Sequence, residues 1–336
     1  MALKVAINGF GRIGRCVARI ALNRDDIEVV AINDTAKREV TRYLLQYDTV
    51  HGEFNKKVEV IDDDFIAVDG KKIRVYSTRD ANELDYAGLG AEVVLECTGA
   101  FLTTEKCQPF LNNGIKKVVM SAPAKDDTPT FVMGVNHETY AGQAIISNAS
   151  CTTNCLGPIA KVLDDELGIE KGLMTTIHAY TNGQSLVDVK CRDFRRSRAA
   201  ACNIIPTTTG AAKAINLVLP QLKGKMHGQS VRVPVPNVSM VDLNVVTKKE
   251  TTAAELNEIF RKYANGAMKG ILLVDDDQRV STDFCTNAYS SIVASDLTQV
   301  ICGNLIKVMS WYDNEWGYSH RLIDLAMYAA KNKDPR

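Results

Sequence analysis

The feature that most constrains this chain lies in its first 34 residues. Leu3-Lys-Val-Ala-Ile7 is a short apolar run, Gly9-Phe-Gly11-Arg-Ile-Gly14 follows at once, and Ile13, Val17, Ile20 and Ala21 then recur at helical spacing. Glu28-Val-Val-Ala-Ile-Asn33 is a second β-branched run, and it ends at Asp34, twenty residues after Gly14. Strand, Gly-x-Gly-x-x-Gly, helix, strand and acid, in that order, make a dinucleotide-binding fingerprint. Gly9, Gly11 and Gly14 allow a tight turn and close backbone approach to a pyrophosphate, which the positive end of the helix attracts. Asp34, at the tip of the second strand, accepts hydrogen bonds from the adenosine ribose and repels a 2′-phosphate. NAD is therefore favoured, while Thr35, Lys37 and Arg38 keep NADP as the alternative.

Further buried-strand candidates at Glu92–Glu96, Lys117–Met120 and Gln143–Ser147, separated by glycine or proline, predict an α/β unit with a doubly wound parallel sheet. After Cys151 the texture changes. Thr175–Thr181, Val231–Val235, Met240–Thr247 and Leu305–Tyr312 read as longer strands with few helices between, which suits a mixed or antiparallel sheet in an α+β unit. Residues 182–205 have no period, and a loop that long is usually functional. Ser319–Lys331 has Leu322, Ile323, Leu325, Ala326, Ala329 and Ala330 at helical spacing.

Composition removes several classes of function. With 46% hydrophobic and 24% charged residues among 336, the chain can bury cores in roughly two domains. Its 40 Lys+Arg balance 40 Asp+Glu, so no global basic field holds it to nucleic acid or an anionic membrane. No apolar run approaches the roughly 18 residues of a membrane span. The apolar run after Lys4 is too short for a signal-peptide core. The nine cysteines show no paired C-x-x-C spacing, so no metal is expected and reduced thiols in the cytoplasm are.

One of those thiols stands out. Ser147-Asn-Ala-Ser-Cys151-Thr-Thr-Asn-Cys155 leads from a strand into a helix, and unpaired N–H groups in a first turn favour thiolate, with Ser150 as N-cap. Cys155, one turn deeper, reads as structural. His178, near the end of a strand and flanked by threonines and Tyr180, is the candidate base. Lys190–Arg198 carries five basic residues against one acid, and Pro206-Thr-Thr-Thr-Gly210-Ala-Ala-Lys213 supplies hydroxyls and a helix start, together a phosphate cradle. Arg232, within an alternating strand, is a more pointed anion ligand.

Asn8–Arg15, Ser147–Cys155, Pro206–Lys213 and Trp311-Tyr-Asp-Asn-Glu-Trp-Gly-Tyr318 together resemble the phosphorylating glyceraldehyde-3-phosphate dehydrogenase family, of the bacterial-like type I, over essentially the whole chain. The resemblance implies a Rossmann-type dinucleotide-binding domain, residues 1–150 and 316–336, and a catalytic domain, residues 151–315. It implies that Arg12, Ile13, Asp34, Arg79, Ser121 and Asn314 touch the cofactor. Phosphate would be bound by Ser150, Thr152, Thr181, Arg196, Thr209, Gly210 and Arg232. Residues 182–205 look like the family's S-shaped loop, which reaches a neighbouring subunit's cofactor in a homotetramer. Gly183 and Val189-Lys190 depart from the family's usual residues, and Lys190 adds to the case for NADP.

The implied reaction joins glyceraldehyde 3-phosphate, NAD and inorganic phosphate. A Cys151 thiolate, kept ionised by pairing with His178, attacks the aldehyde; hydride leaves the hemithioacetal; phosphate then attacks the thioester. Erythrose-4-phosphate dehydrogenase shares the cysteine motif and is the nearest rival. A different class is an RNA-binding use of the same fold, against which neutral charge argues. Redox sensing by Cys151 would accompany the enzyme role.

Overall fold

In the computed structural model, which describes residues 2–332, the first glycine-rich segment is flanked as its sequence predicts. Contacts divide the chain into two units: Met1–Phe131, His137–Ala149 and Ser319–Arg336 in one, Val132–Asn136 and Ser150–Tyr318 in the other.

Among the described residues, the first unit has ten strands: Leu3–Asn8 (β1), Ile27–Asn33 (β2), Tyr47–Asp48 (β3), Gly52–Glu53 (β4), Val58–Val60 (β5), Phe65–Val68 (β6), Lys71–Tyr76 (β7), Val93–Glu96 (β8), Lys117–Met120 (β9) and Ile145–Ser147 (β10). Eight of them form one sheet, ordered β10-β9-β8-β1-β2-β7-β6-β5. From β10 to β7 every pairing is parallel, and the chain winds outwards in both directions from β1. That is the doubly wound order, with its switch point between β1 and β8. These strands show no polar alternation because helices cover them, and Val5, Ala6, Ile7, Val93, Val94 and Leu95 are all fully buried. The antiparallel β5–β7 extension escaped the sequence reading because charges interrupt its short runs, as in Lys71-Lys-Ile-Arg-Val-Tyr76.

Helices Arg12–Leu22 (α1), Arg38–Gln46 (α2) and Thr104–Asn112 (α3) complete this unit with most of the terminal helix. On α1 the apolar residues Val17, Ile20 and Ala21 are buried, spaced by three and four. Arg19 is buried on the same helix because its guanidinium donates to the carbonyls of Leu45, Gln46 and Gly52.

The second unit begins with helix Cys151–Leu167 (α4), whose N-cap Ser150 accepts the Thr153 N–H at 3.1 Å. Its strands are Ile169–Ala179 (β11), Ile205–Thr208 (β12), Met226–Val233 (β13), Ser239–Thr247 (β14), Leu272–Asp275 (β15), Ser291–Ala294 (β16), Gln299–Ile301 (β17) and Leu305–Tyr312 (β18). They run in the order β12-β13-β11-β14-β18-β16-β15, with β17 on β18. β11 pairs in parallel with β13 and antiparallel with β14, so the sheet is mixed. Leu156, Ile159, Ala160 and Leu163 bury one face of α4 against β14, β16 and β18, where Val241, Leu243 and Val245 alternate with more exposed neighbours. Ala211–Val218 (α5) and Ala253–Asn265 (α6) follow, the latter opened by a Thr252–Glu255 capping box; Trp316–Lys331 (α7) ends the chain's regular structure. Among the described residues, no helix is long and apolar enough to cross a membrane.

Candidate active site

In the first unit the predicted cofactor residues collect at the carboxyl ends of the parallel strands. Gly9 follows β1, Asp34 follows β2, Arg79 lies just beyond β7 and Ser121 follows β9. This is where ligands sit in open α/β sheets. Two glycines are required by the protein itself. Gly9 has φ +93°, and a Cβ there would stand 2.6 Å from the Thr98 backbone nitrogen; a Cβ on Gly14 would strike the Gly9 carbonyl oxygen. Gly11 is different, because a Cβ on it meets nothing within 4 Å. The space above Gly11 is open, and Gly11 caps α1 with no side-chain hydrogen bond, so N–H groups of the first turn face that space. A pyrophosphate fits this cradle.

Beneath the turn lies a buried polar network. Asn8 donates to Glu96 at 2.5 Å and accepts from Asn33 at 2.8 Å and from Tyr86 at 3.2 Å. Glu96 also accepts from the Thr98 N–H at 2.7 Å and from its hydroxyl. Burial pushes this carboxyl up to about 7, against the pull of its donors. Arg12 pairs with Asp48 at 2.7 Å. Burial alone would raise Asp48, but Arg12 and the N–H groups of His51 and Val50 outweigh it and hold the carboxyl at about 2. Ile13 is half-buried beside Arg12, and Arg79 is exposed. Asn314 is not with this group; it lies in the second unit.

The second unit brings Cys151, His178 and Arg232 together. Cys151 is the first residue of α4, and its Sγ lies 3.5 Å from His178 Nε2. His178 sits near the end of β11, directly opposite Arg232 on the parallel neighbour β13. On the other side of the ring, Nδ1 is 2.7 Å from the Ala179 carbonyl and 2.6 Å from Arg232 Nη1, which also donates to that carbonyl at 2.9 Å. The tautomer therefore decides what faces the sulfur. With Nδ1–H on Ala179, Nε2 is a free base pointing at Sγ; with Nδ1 accepting from Arg232, Nε2–H points at Sγ and supports thiolate.

The expected thiolate–imidazolium pair is not what these fields favour. Burial, joined by the adjacent Arg232 charge, drives the imidazole down to about 3 against the pull of the Ala179 carbonyl. Burial pushes the Cys151 thiol up, while Arg232 and the hydroxyl and N–H of Thr152 pull it down. The fixed cation beside the sulfur is Arg232, and these fields favour an uncharged imidazole at His178. Cys155 is buried beside Ser291 and the Ser310 carbonyl and is pushed up to about 12 by burial, which fits the structural part expected of it.

The remaining anion donors divide. Ser150 and Thr152 adjoin Cys151, but the Thr152 side chain is only 4% exposed, bonded at 3.0 Å to Tyr312 Oη. Thr181 is exposed just beyond β11. Arg196 donates to Thr207 at 2.9 Å on β12, the strand next to the one bearing Arg232, and its charge is felt by Arg232. Thr209 accepts the Ala211 N–H at 3.2 Å, and Gly210 caps α5.

Sequence reasoning missed two supporting residues. Tyr312, fully buried on β18, bonds Thr176 at 2.7 Å as well as Thr152, and its ring meets His178 edge to face. Each hydroxyl can donate to the next, from Thr176 through Tyr312 and Thr152 to the sulfur. Ser239 accepts the Ala179 N–H at 3.0 Å and donates to Asn314 Oδ1 at 2.8 Å. Tyr312 and Asn314 both lie in the Trp311–Tyr318 motif; Ser239 carries no sequence signal of its own.

Known proteins match this arrangement along its length. Residues 3–104 match the NAD-binding domain of glyceraldehyde 3-phosphate dehydrogenase, and residues 150–314 match the C-terminal domain of the same enzyme. The chain is 50% identical over 338 residues to glyceraldehyde-3-phosphate dehydrogenase 2 of Bacillus subtilis, covering 100% of this chain and 99% of that protein. It is 51% identical to the Geobacillus stearothermophilus enzyme, over 98% of this chain and 99% of that one. It is 54% identical to the chloroplastic GAPB protein of Arabidopsis thaliana, over 98% of this chain and 75% of that one. A nicotinamide-dependent oxidoreductase with an NAD-binding amino-terminal domain, the chain belongs to the glyceraldehyde-3-phosphate dehydrogenase family.

Proposed function

We propose that this chain oxidises D-glyceraldehyde 3-phosphate to 1,3-bisphosphoglycerate, reducing NAD and consuming inorganic phosphate, in glycolysis and gluconeogenesis in the cytoplasm. The observation that carries the reading is the Cys151–His178 contact of 3.5 Å at the start of α4, with Arg232 beside it. His178 Nε2 takes the thiol proton as Sγ bonds the aldehyde carbon, and the carbonyl oxygen becomes an alkoxide held by the imidazolium. NAD held by the cradle of the first unit would supply the acceptor for the hydride that leaves as that alkoxide collapses. Cys151 then carries a thioester, which a phosphate oxygen attacks. Sγ departs with the proton stored on His178, and the acyl phosphate leaves. The proton lost by the attacking phosphate is the net proton released.

Arg232 and Thr181 would hold the substrate phosphate, and Ser150, Arg196, Thr209 and Gly210 the inorganic one, with Thr152 acting through its N–H and its bond to Tyr312. Gly9, Gly11, Arg12, Ile13, Gly14, Asp34, Arg79 and Ser121 would hold the cofactor, and Asn314 its nicotinamide end. Residues 1–150 with 316–336 form the dinucleotide-binding domain in this reading, and 151–315 the catalytic domain. Self-association as a homotetramer is supported by the apolar residues that the 182–205 loop leaves exposed, Leu186 at 85% and Phe194 at 89% among them.

Initial rates of aldehyde oxidation with NAD and with NADP, each with and without phosphate, test the reading. Phosphate-dependent NAD reduction supports it, and reduction of neither cofactor by folded, reduced protein overturns it. Erythrose 4-phosphate as the better substrate would move the assignment to that neighbouring enzyme.

A further inference from the structure

The carboxylate of Asp34 is held at both oxygens before any ligand arrives. Oδ1 accepts the Ala36 N–H at 3.1 Å, and Oδ2 accepts the Thr41 hydroxyl at 2.8 Å. Thr41 is on the first turns of α2 and only 1% exposed, so its hydroxyl has no water to turn to. The Lys37 carbonyl is a second acceptor within its reach, at 3.3 Å. The shorter bond to a charged acceptor is the stronger of the two.

Of the basic pair beside Asp34, Arg38 does not present a compensating cation in the way the sequence suggests. The Arg38 guanidinium donates to the carbonyls of Asp63 at 2.8 Å and of Asp34, Ala36 and Val75 at 3.3 Å. It ties α2 to β2, to β7 and to the turn before β6. A guanidinium engaged by four carbonyls is not available to a 2′-phosphate.

We propose that Thr41 is a specificity-determining residue of this chain: by fixing the Asp34 carboxylate while Arg38 is sequestered, it makes the site accept an unphosphorylated ribose and reject a 2′-phosphate. A carboxylate free to rotate could swing away from a 2′-phosphate; one held at both oxygens cannot. Each oxygen keeps a lone pair for the vicinal ribose hydroxyls. The inference rests on the reading that a dinucleotide binds at the tip of β2. Thr41 acts through Asp34 and is a positioning residue.

The test compares kcat/KM for NAD and for NADP in the full-length protein and in Thr41→Val and Thr41→Ser, with equilibrium binding of each cofactor measured by fluorescence quenching. Thr41→Val should lower the NAD-over-NADP ratio about tenfold or more, the loss of one charge-assisted hydrogen bond. The change should be carried by KM, with NAD weakened and NADP tightened. Thr41→Ser, which keeps the hydroxyl, should retain the parent ratio. A Thr41→Val ratio equal to the parent's overturns the inference, as does equal weakening of both cofactors, which is what a merely structural role produces. Comparable use of NADP by the parent overturns it too while leaving the enzyme reading intact; binding of neither cofactor overturns both.

Discussion

The two units solve the same problem, holding a charged small molecule, with different materials. In the first, the cradle is backbone: glycines and N–H groups at the tips of parallel strands, with side chains such as Asn8, Asn33 and Glu96 buried underneath as support. In the second, the candidate site is made of side chains from α4, β11, β13 and β18, held to each other by bonds across the sheet. A backbone site depends on where a Cβ is absent. A side-chain site depends on which partners surround a buried ionisable group.

The sharpest way to break this contrast is Cys151→Ser. Aldehyde oxidation should fall on the order of 10⁴-fold or more, because the hydroxyl lacks the nucleophilicity of sulfur and the machinery acts as a unit. Cofactor affinity should stay near the parent's, since Cys151 is not among the residues that would hold the cofactor. Residual turnover near the parent's, measured with freshly prepared protein, would remove Cys151 from the reaction.

The same contrast explains what could be read in advance. The glycine turn and the β2 acid were legible because their determinants are local, spacing and hydrophobic runs within about 34 residues, and the parallel sheet because its strands are short apolar runs between glycine or proline. Cys151 and His178 also stand out in the sequence, and the fold brings them to 3.5 Å, but what surrounds them was not legible. The expected ion pair came with the family resemblance, which says nothing of the surroundings of the imidazole: His178 is 4% exposed with a guanidinium 2.6 Å from Nδ1. Arg38 was misread for the same reason, since a list of residues shows a charge and not the carbonyls that occupy it. Ser239 is an ordinary serine until Ala179 and Asn314 arrive from remote parts of the chain.

Within the backbone site, the glycines should separate into two kinds. Gly9→Ala forces a Cβ against the Thr98 nitrogen at a φ of +93°, so folding stability should drop by about 3 kcal/mol and cofactor binding with it. Gly11→Ala meets nothing within 4 Å and has φ −70°, so the urea midpoint should barely move while NAD affinity falls at least about tenfold. Equal losses of stability in the two variants would erase the distinction between a glycine needed for the turn and one needed for the ligand.

The buried ionisable groups of the two units should give opposite pH slopes. Glu96 rises to about 7 in the folded chain from an ordinary 4.5, so the unfolded chain ionises first and stability falls as pH rises between those values. His178 falls to about 3 from 6.5, so the unfolded chain takes up a proton first and stability falls as pH drops through that window. At full extent the first amounts to about 3 kcal/mol and the second to about 5 kcal/mol. Denaturation from pH 4 to pH 8 should show Glu96→Gln removing the first slope and His178→Asn the second. A Glu96→Gln curve parallel to the parent's would mean that its donors from Asn8 and Thr98 keep the carboxyl ionised throughout.

Tyr312→Phe asks the smallest question and bears most directly on how the side-chain site is held. The ring should stay packed against His178, so only the hydroxyl between Thr152 and Thr176 is lost. Two buried hydroxyls then lose a partner, at a cost of about 1 to 3 kcal/mol in folding stability. If the hydroxyls donate in series toward the sulfur, the loss also weakens the bond from Thr152 that favours thiolate, and the apparent pKa of Cys151 in an alkylation profile should rise by a fraction of a unit to about one unit. Loss of stability with no change in that profile would mean that Thr152 donates to Tyr312 rather than to Cys151. The sulfur would then be served by Arg232 and the Thr152 N–H, and the hydroxyl chain from β18 would be scaffold alone.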